Sequence, residues 1–164
     1  MYKKIMLLLV ICTVIFCACG RADTSSEQVL TALIDAEIGL PAGQLYLSSS
    51  PEDDAAYLSA DLMAALYGEG ELPWQLSLIE DYGIYLSTAQ HPCEFAVFRC
   101  YARSDTDEIA ALCHVRLCAL RNHYKNTQYT AYLQNASVVV IGKYVLLLIS
   151  SDTEHALRTA KGVI

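Results

Sequence analysis

Six side chains in the second half of the chain are of the types that hold metal ions or act as nucleophiles: His91, Cys93, Cys100, Cys113, His114 and Cys118. Zinc takes four nitrogen or sulfur ligands, usually delivered in short paired spacings. Only His91-Pro92-Cys93 and Cys113-His114 are close pairs. Neighbours on a helix project about 100° apart, so Cys113 and His114 do not converge on one ion. No metal and no cofactor is expected. A catalytic thiol needs a base beside it and donors for the developing charge. Cys93 with His91 is a conceivable pair, yet no motif supplies the rest. Ser48, Ser49 and Ser50 lie in no Gly-x-Ser-x-Gly elbow. The acid pairs Glu80-Asp81 and Asp53-Asp54 are of the type used on glycosides, but the second suits the first turn of a helix better. No catalytic residue is therefore assigned. A ligand platform built from aromatic rings is the softer candidate: Trp74, Tyr124, Tyr129 and Tyr132.

These residues need elements to hold them. Apolar residues at Val29, Leu30, Leu33, Ile34 and Ile38 fall three and four apart, which predicts a helix from Ser26 to Leu40, ended by Gly39 and Pro41. Gln44 to Ser50 reads as a polar connection. Ser50-Pro51-Glu52-Asp53-Asp54 carries a capping serine, a first-turn proline and acids, and predicts a helix to Tyr67 with Leu58, Leu62 and Leu66 on one face. Tyr82–Ser87 and Glu94–Tyr101 read as strands. Asp105 starts a long helix to about Lys125, with Ile109, Cys113, Leu117, Leu120 and Tyr124 as its buried stripe. Ala136–Ile141 and Tyr144–Ser150 flank Gly142-Lys143, which fits a two-residue hairpin of type II′. A last helix covers Glu154 to Lys161. The expected fold is α+β: two hairpins joined by a long helix in a four-stranded, largely antiparallel sheet, with the N-terminal helices and a short C-terminal helix packed on it. The last hairpin is apolar on both faces, so either both faces are covered or a partner covers one.

The amino terminus says where this domain works. Lys3 and Lys4 precede an apolar run, Ile5 to Phe16, that spans about 18 Å as a helix, short for a bilayer core of about 30 Å. A positive start, a short apolar middle and small residues are the marks of a secretory signal. Phe16-Cys17-Ala18-Cys19 resembles the lipobox of bacterial lipoproteins, with phenylalanine where leucine is usual. That resemblance implies a signal peptide over 1–18, a lipidated Cys19 as the mature first residue, a tether over 19–27 and one domain over 28–164. Three acyl chains would hold the domain on the outer face of the cell membrane, since one chain anchors only marginally and two or more hold well. An ordinary cleaved signal, or an uncleaved anchor, would also put the domain outside the cytoplasm.

Without the two signal lysines the chain has 9 basic and 18 acidic residues, a net charge of −9. That disfavours nucleic acid and anionic lipid surfaces as partners. An even count of four cysteines outside the cytoplasm permits disulfides. Cys113 and Cys118 cannot pair, being about 140° apart around a helix. Small buried hydrophobes are the expected state, with one bridge from Cys93 or Cys100 to a helix cysteine as the alternative.

Three stretches carry a wider resemblance: Glu80-Asp81-Tyr82-Gly83-Ile84-Tyr85, Glu94-Phe95-Ala96-Val97-Phe98, and Ser137 through Val145. With Leu66-Tyr67-Gly68 at a helix end, they resemble the lipoproteins of Firmicutes grouped as the domain-of-unknown-function 4358 family. The resemblance spans about residues 27–160. The cysteines, His114 and Arg116 depart from it. It implies no activity and no catalytic residue. The expected role is non-enzymatic binding of an envelope protein, peptide or glycan; the alternative is a hydrolase acting on cell-wall material.

Overall fold

The structure, a computed structural model, describes residues 24–88 and 90–164. The apolar run and Cys19 lie outside the described residues. Helix α1, Ser26–Ala36, opens with a capping box in which the Ser25 hydroxyl accepts from the Gln28 amide while the Gln28 side chain accepts from Ser25 N–H. It buries Val29, Leu30 and Leu33 and ends before the expected Leu40. Residues 24–27, expected in the tether, belong to the packed body instead. Ser26 is fully buried and its amide donates to Asp81 Oδ1 at 3.2 Å.

Two sequence expectations fail next. The presumed polar connection contains strand β1, Gly43–Leu47, and the helix expected from Pro51 is only Ala60–Tyr67 (α2), capped by Ser59 rather than Ser50. The two errors have one cause. The Ala56 carbonyl accepts the Leu47 amide at 2.9 Å, and the Asp54 carboxylate takes the Ala56 amide at 2.7 Å. Backbone groups that a helix would use are spent holding 51–58 against the end of β1.

A 3₁₀ turn, Trp74–Leu78, leads into β2, Ile79–Ser87. Then follow β3 (Glu94–Cys100), a second 3₁₀ turn (Arg103–Asp105), α3 (Thr106–His123) and a one-turn helix α4 (Thr130–Gln134). Strands β4 (Ser137–Ile141) and β5 (Tyr144–Ile149) form the expected hairpin, and α5 covers Thr153–Val163. Gly142 sits at φ +60 in the turn while Lys143 is not among the positive-φ residues, as type II′ requires.

The fold is α+β, with a five-stranded rather than four-stranded sheet, antiparallel throughout, in the order β1-β2-β3-β5-β4. Every residue of β5 is buried, and so is all of β3 except Arg99. On one face Ile84, Ala96, Phe98, Val145 and Leu147 pack under α2 and α3. On the other, Phe95, Val97, Leu146 and Leu148 pack under α1 and α5. Within the last hairpin β5 is thus covered on both faces inside the chain, while the edge strand β4 is only partly buried and leaves Val140 exposed. Over β2 the α1 helix comes very close: a Cβ on Gly83 would stand 3.0 Å from Leu30 Cδ2 and 3.3 Å from the Ser26 carbonyl oxygen. Among the described residues no helix is long and apolar enough to cross a membrane.

Because adjacent residues of β5 serve opposite cores, Leu146→Ala and Leu147→Ala should each cost about 2–5 kcal/mol. Urea unfolding should show lower midpoints with an unchanged slope for both. A variant near wild type on either side would mean that face is not packed.

Candidate functional site

The loop from β2 to β3 places two of the reactive candidates, His91 and Cys93, together at one end of the sheet. His91 Nδ1 accepts the Cys93 amide at 3.1 Å, and the Cys93 carbonyl accepts the Ser87 amide at 3.1 Å. The imidazole therefore caps a turn. With Nδ1 as acceptor the proton of the neutral ring sits on Nε2. Partial burial lowers the His91 pKa from its ordinary value, which keeps the ring neutral near pH 7. Cys93 is 2% exposed, and burial raises its thiol to about 11. A protonated thiol beside a histidine already used as a cap is not a nucleophile–base pair. The conceivable Cys93–His91 pair, left unassigned from the sequence, is not set up here for nucleophilic attack.

Around His91 the tyrosines gather. Its ring meets Tyr129 edge-on at 4.7 Å between centroids and Tyr132 at 5.0 Å. Tyr129 in turn meets Tyr124 at 5.5 Å, and Tyr124 meets His123 at 4.8 Å. Such edge-to-face pairs add about 0.5–1.5 kcal/mol each beyond area burial and fix the ring positions. Tyr132 is also hydrogen-bonded to Cys93, and burial raises its hydroxyl pKa strongly. The segment that carries these rings is tied down by Arg121, whose Nε donates to the Leu133 carbonyl at 3.2 Å and Nη2 to the Ala136 carbonyl at 3.4 Å. Asn126 turns the chain after α3 with φ +62, a conformation asparagine tolerates better than most residues.

Of the four residues expected to form an aromatic platform, three are brought together and one is not. Trp74 is 63% exposed and lies apart, in a shallow depression of about 440 Å³ with Leu72 and Val115. His91 takes the fourth place.

Beneath the loop lies an ionic group that the sequence reading missed. Glu94, the first residue of β3, is 1% exposed. Its Oε1 accepts the Tyr67 hydroxyl at 2.9 Å, and its Oε2 accepts Arg116 Nε at 3.0 Å and Nη2 at 2.8 Å. Three charge-assisted hydrogen bonds compensate a carboxylate removed from water. The tyrosine answers the same field. Burial, then the neighbouring Glu94 charge, pushes its pKa well above the usual range, so it remains a donor. The available signal was a glutamate opening the apolar run Phe95 to Phe98, with Arg116 three residues after Cys113 on the buried side of α3. His91, Glu94, Arg116 and Tyr124 line a hollow of about 230 Å³. Tyr124 also borders a concavity of about 580 Å³ with Gln90, His123, Thr127, Gln128 and Tyr129.

Cys93, Cys100, Cys113 and Cys118 are all free thiols. Cys100 is raised to about 11 by burial, and Cys113, with no exposure, still further. Cys113 faces the core while His114 faces solvent, as their helical spacing implies. Among the described residues, no three histidine, cysteine or acidic side chains are grouped to hold a metal ion. No family model, curated protein or solved structure matches this chain.

Arg116→Ala strands a buried carboxylate and should cost about 3–5 kcal/mol. Tyr67→Phe removes one hydrogen bond to a charge and should cost about 1.5–3 kcal/mol. Denaturant titration of both, and of the double variant, should show strong non-additivity; independent costs would mean the three groups do not act together. Thiol titration at neutral pH should find Cys118 fast and Cys93, Cys100 and Cys113 protected until the chain unfolds. Prompt reaction of any of those three would contradict their placement.

Proposed function

We propose that this chain is a lipid-anchored, extracytoplasmic binding module of the domain-of-unknown-function 4358 type. It is held to the outer face of the cell membrane through Cys19 and takes a peptide or glycan of the envelope at the His91–tyrosine cluster. The observation that carries the binding half is the pair of adjoining concavities sharing Tyr124. One offers the amides of Gln90 and Gln128 and the hydroxyl of Tyr129, and the other an ion pair already neutralised within the protein. Aromatic rings beside neutral donors and acceptors suit an uncharged, hydroxyl- or amide-rich ligand. The half concerning location rests on the short apolar run and the Phe16-Cys17-Ala18-Cys19 lipobox.

The alternative, hydrolysis of cell-wall material, would have to use groups other than the His91–Cys93 pair. Both readings meet in one experiment. Soluble peptidoglycan fragments are titrated into the protein while tyrosine fluorescence is followed and the fragments are analysed for cleavage. The expected outcome is saturable binding without product, weakened at least tenfold by Tyr129→Ala. Cleaved fragments would favour the hydrolase, and unaltered affinity in the variant would place the ligand elsewhere.

A further inference from the structure

The body of the domain is gripped where the lipid tether would enter it. Thr24 Oγ1 donates to the Val163 carbonyl at 3.1 Å, the Tyr144 hydroxyl donates to the Thr24 carbonyl, and Ser26 is fastened to Asp81. Five residue steps separate Cys19 from Thr24. Whatever their conformation, five steps reach at most about 17 Å. A lipid on Cys19 therefore keeps Thr24, and the end of the fold gripped there, close to the headgroups.

Thr24 lies at one end of the sheet and the aromatic cluster at the other. Tyr144 begins β5 and pairs with Arg99 near the end of β3, and Asp81 pairs with the same Arg99. Glu94, at the opposite end of β3, pairs with Ile149, where β5 ends. Five residue steps of strand at about 3.3 Å each put about 17 Å between those ends. The helices agree. α1 runs from Ser26 beside Asp81 to Glu37, the residue after its end, whose Oε1 accepts the Ser151 hydroxyl at 2.7 Å. α5 returns from Thr153 to Val163 beside Thr24. α3 leaves the Cys100 end and climbs to Tyr124, whose ring joins the cluster through Tyr129.

We propose that the domain stands on the membrane with the Thr24–Val163–Tyr144 end against the lipid headgroups and the His91–tyrosine cluster held outward, on the far side of the sheet. This rests on the reading of Cys19 as lipidated. Some of the charges nearest the entry point are paired within the protein. Arg99 is paired with Glu80 at 3.1 Å and Asp81 at 3.0 Å, and Lys143 lies 3.8 Å from Glu80. Glu80 and Asp81 are thus matched by cations, while Glu27, Asp107 and Glu108 remain exposed acids at the same end. The consequence is functional: the concavities face material at a distance from the bilayer, such as wall glycan or another protein's ectodomain, and not the headgroups themselves.

The natural thiol pattern supplies the test. Cys118 is exposed, while Cys93, Cys100 and Cys113 are buried. It lies twelve residues up α3 from Thr106, about 18 Å from the membrane-facing end. The lipidated full chain is reconstituted in phosphatidylcholine–phosphatidylglycerol vesicles that carry headgroup nitroxides. A fluorophore is placed on Cys118, or on Lys161→Cys in a Cys118→Ser background; Lys161 is exposed and two residues from Val163. The label at 161 should be quenched several-fold more than the label at 118. Twenty Gly/Ser residues inserted before Thr24 should erase the difference. Equal or reversed quenching in the native chain, or a difference that survives the insertion, overturns the orientation while leaving lipidation standing. Failure of the native chain to float with the vesicles overturns the lipidation of Cys19, and the orientation with it.

Discussion

The central strands β3 and β5 have no wet face, and most of the architecture follows from that. A strand apolar on both sides must be roofed twice, so the chain needs helices above and below the sheet. It distributes them by connection. α1 and α5, the first and last helices, pack together on one side, and α2 and α3, which precede and follow the β2–β3 hairpin, take the other. With both faces covered, the sheet can be met only at its ends and along its edge strands β1 and β4. One end carries the chain entry at Thr24, and the other carries the β2–β3 loop with its histidine and tyrosines.

The buried ion pair sits at the junction of core and site. Glu94 is the first residue of a buried strand, and a carboxylate there needs partners from two helices: Tyr67 from the end of α2 and Arg116 from the middle of α3. It thereby fixes where those helices cross the strand. A hydrophobic group of the same size would pack the site as well or better. What the polar triad adds is a defined position, since only one placement of α2 and α3 satisfies all three hydrogen bonds. The loop that follows Ser87 inherits that definition, because His91 and Cys93 lead directly into Glu94.

Much of this was legible in the residues, and the failures are instructive. The apolar runs of β3 and β5, the Gly142-Lys143 turn and the stripe on α3 announced themselves because burial there is continuous and the periods are clean. β1 did not, since Gly43-Gln44-Leu45-Tyr46-Leu47 is short, lies at an edge and has a polar start. The helix beginning at Ser50 was false because Ser-Pro-Glu-Asp-Asp describes a good local cap but cannot reveal that β1 would claim the Ala56 carbonyl. At the site, the tyrosines were legible as a group by type and spacing. Trp74 was wrongly joined to them because nothing in a linear sequence separates two patches on different parts of a surface. Glu94 and Arg116, 22 residues apart, meet only once β3 and α3 are packed.

Two-sided burial can be measured directly by native-state hydrogen exchange on the folded domain under increasing denaturant. The account predicts that the amides of Phe95 to Phe98 and of Leu146 to Leu148 exchange only through global unfolding, with the same free energy as the denaturant midpoint gives. Neighbouring amides along each strand should show no alternation, since each strand is hydrogen-bonded to a partner on both sides. Faster exchange of either strand through a separate local opening would contradict it, because a layer that lifts away on its own cannot be what fixes the two ends of the sheet.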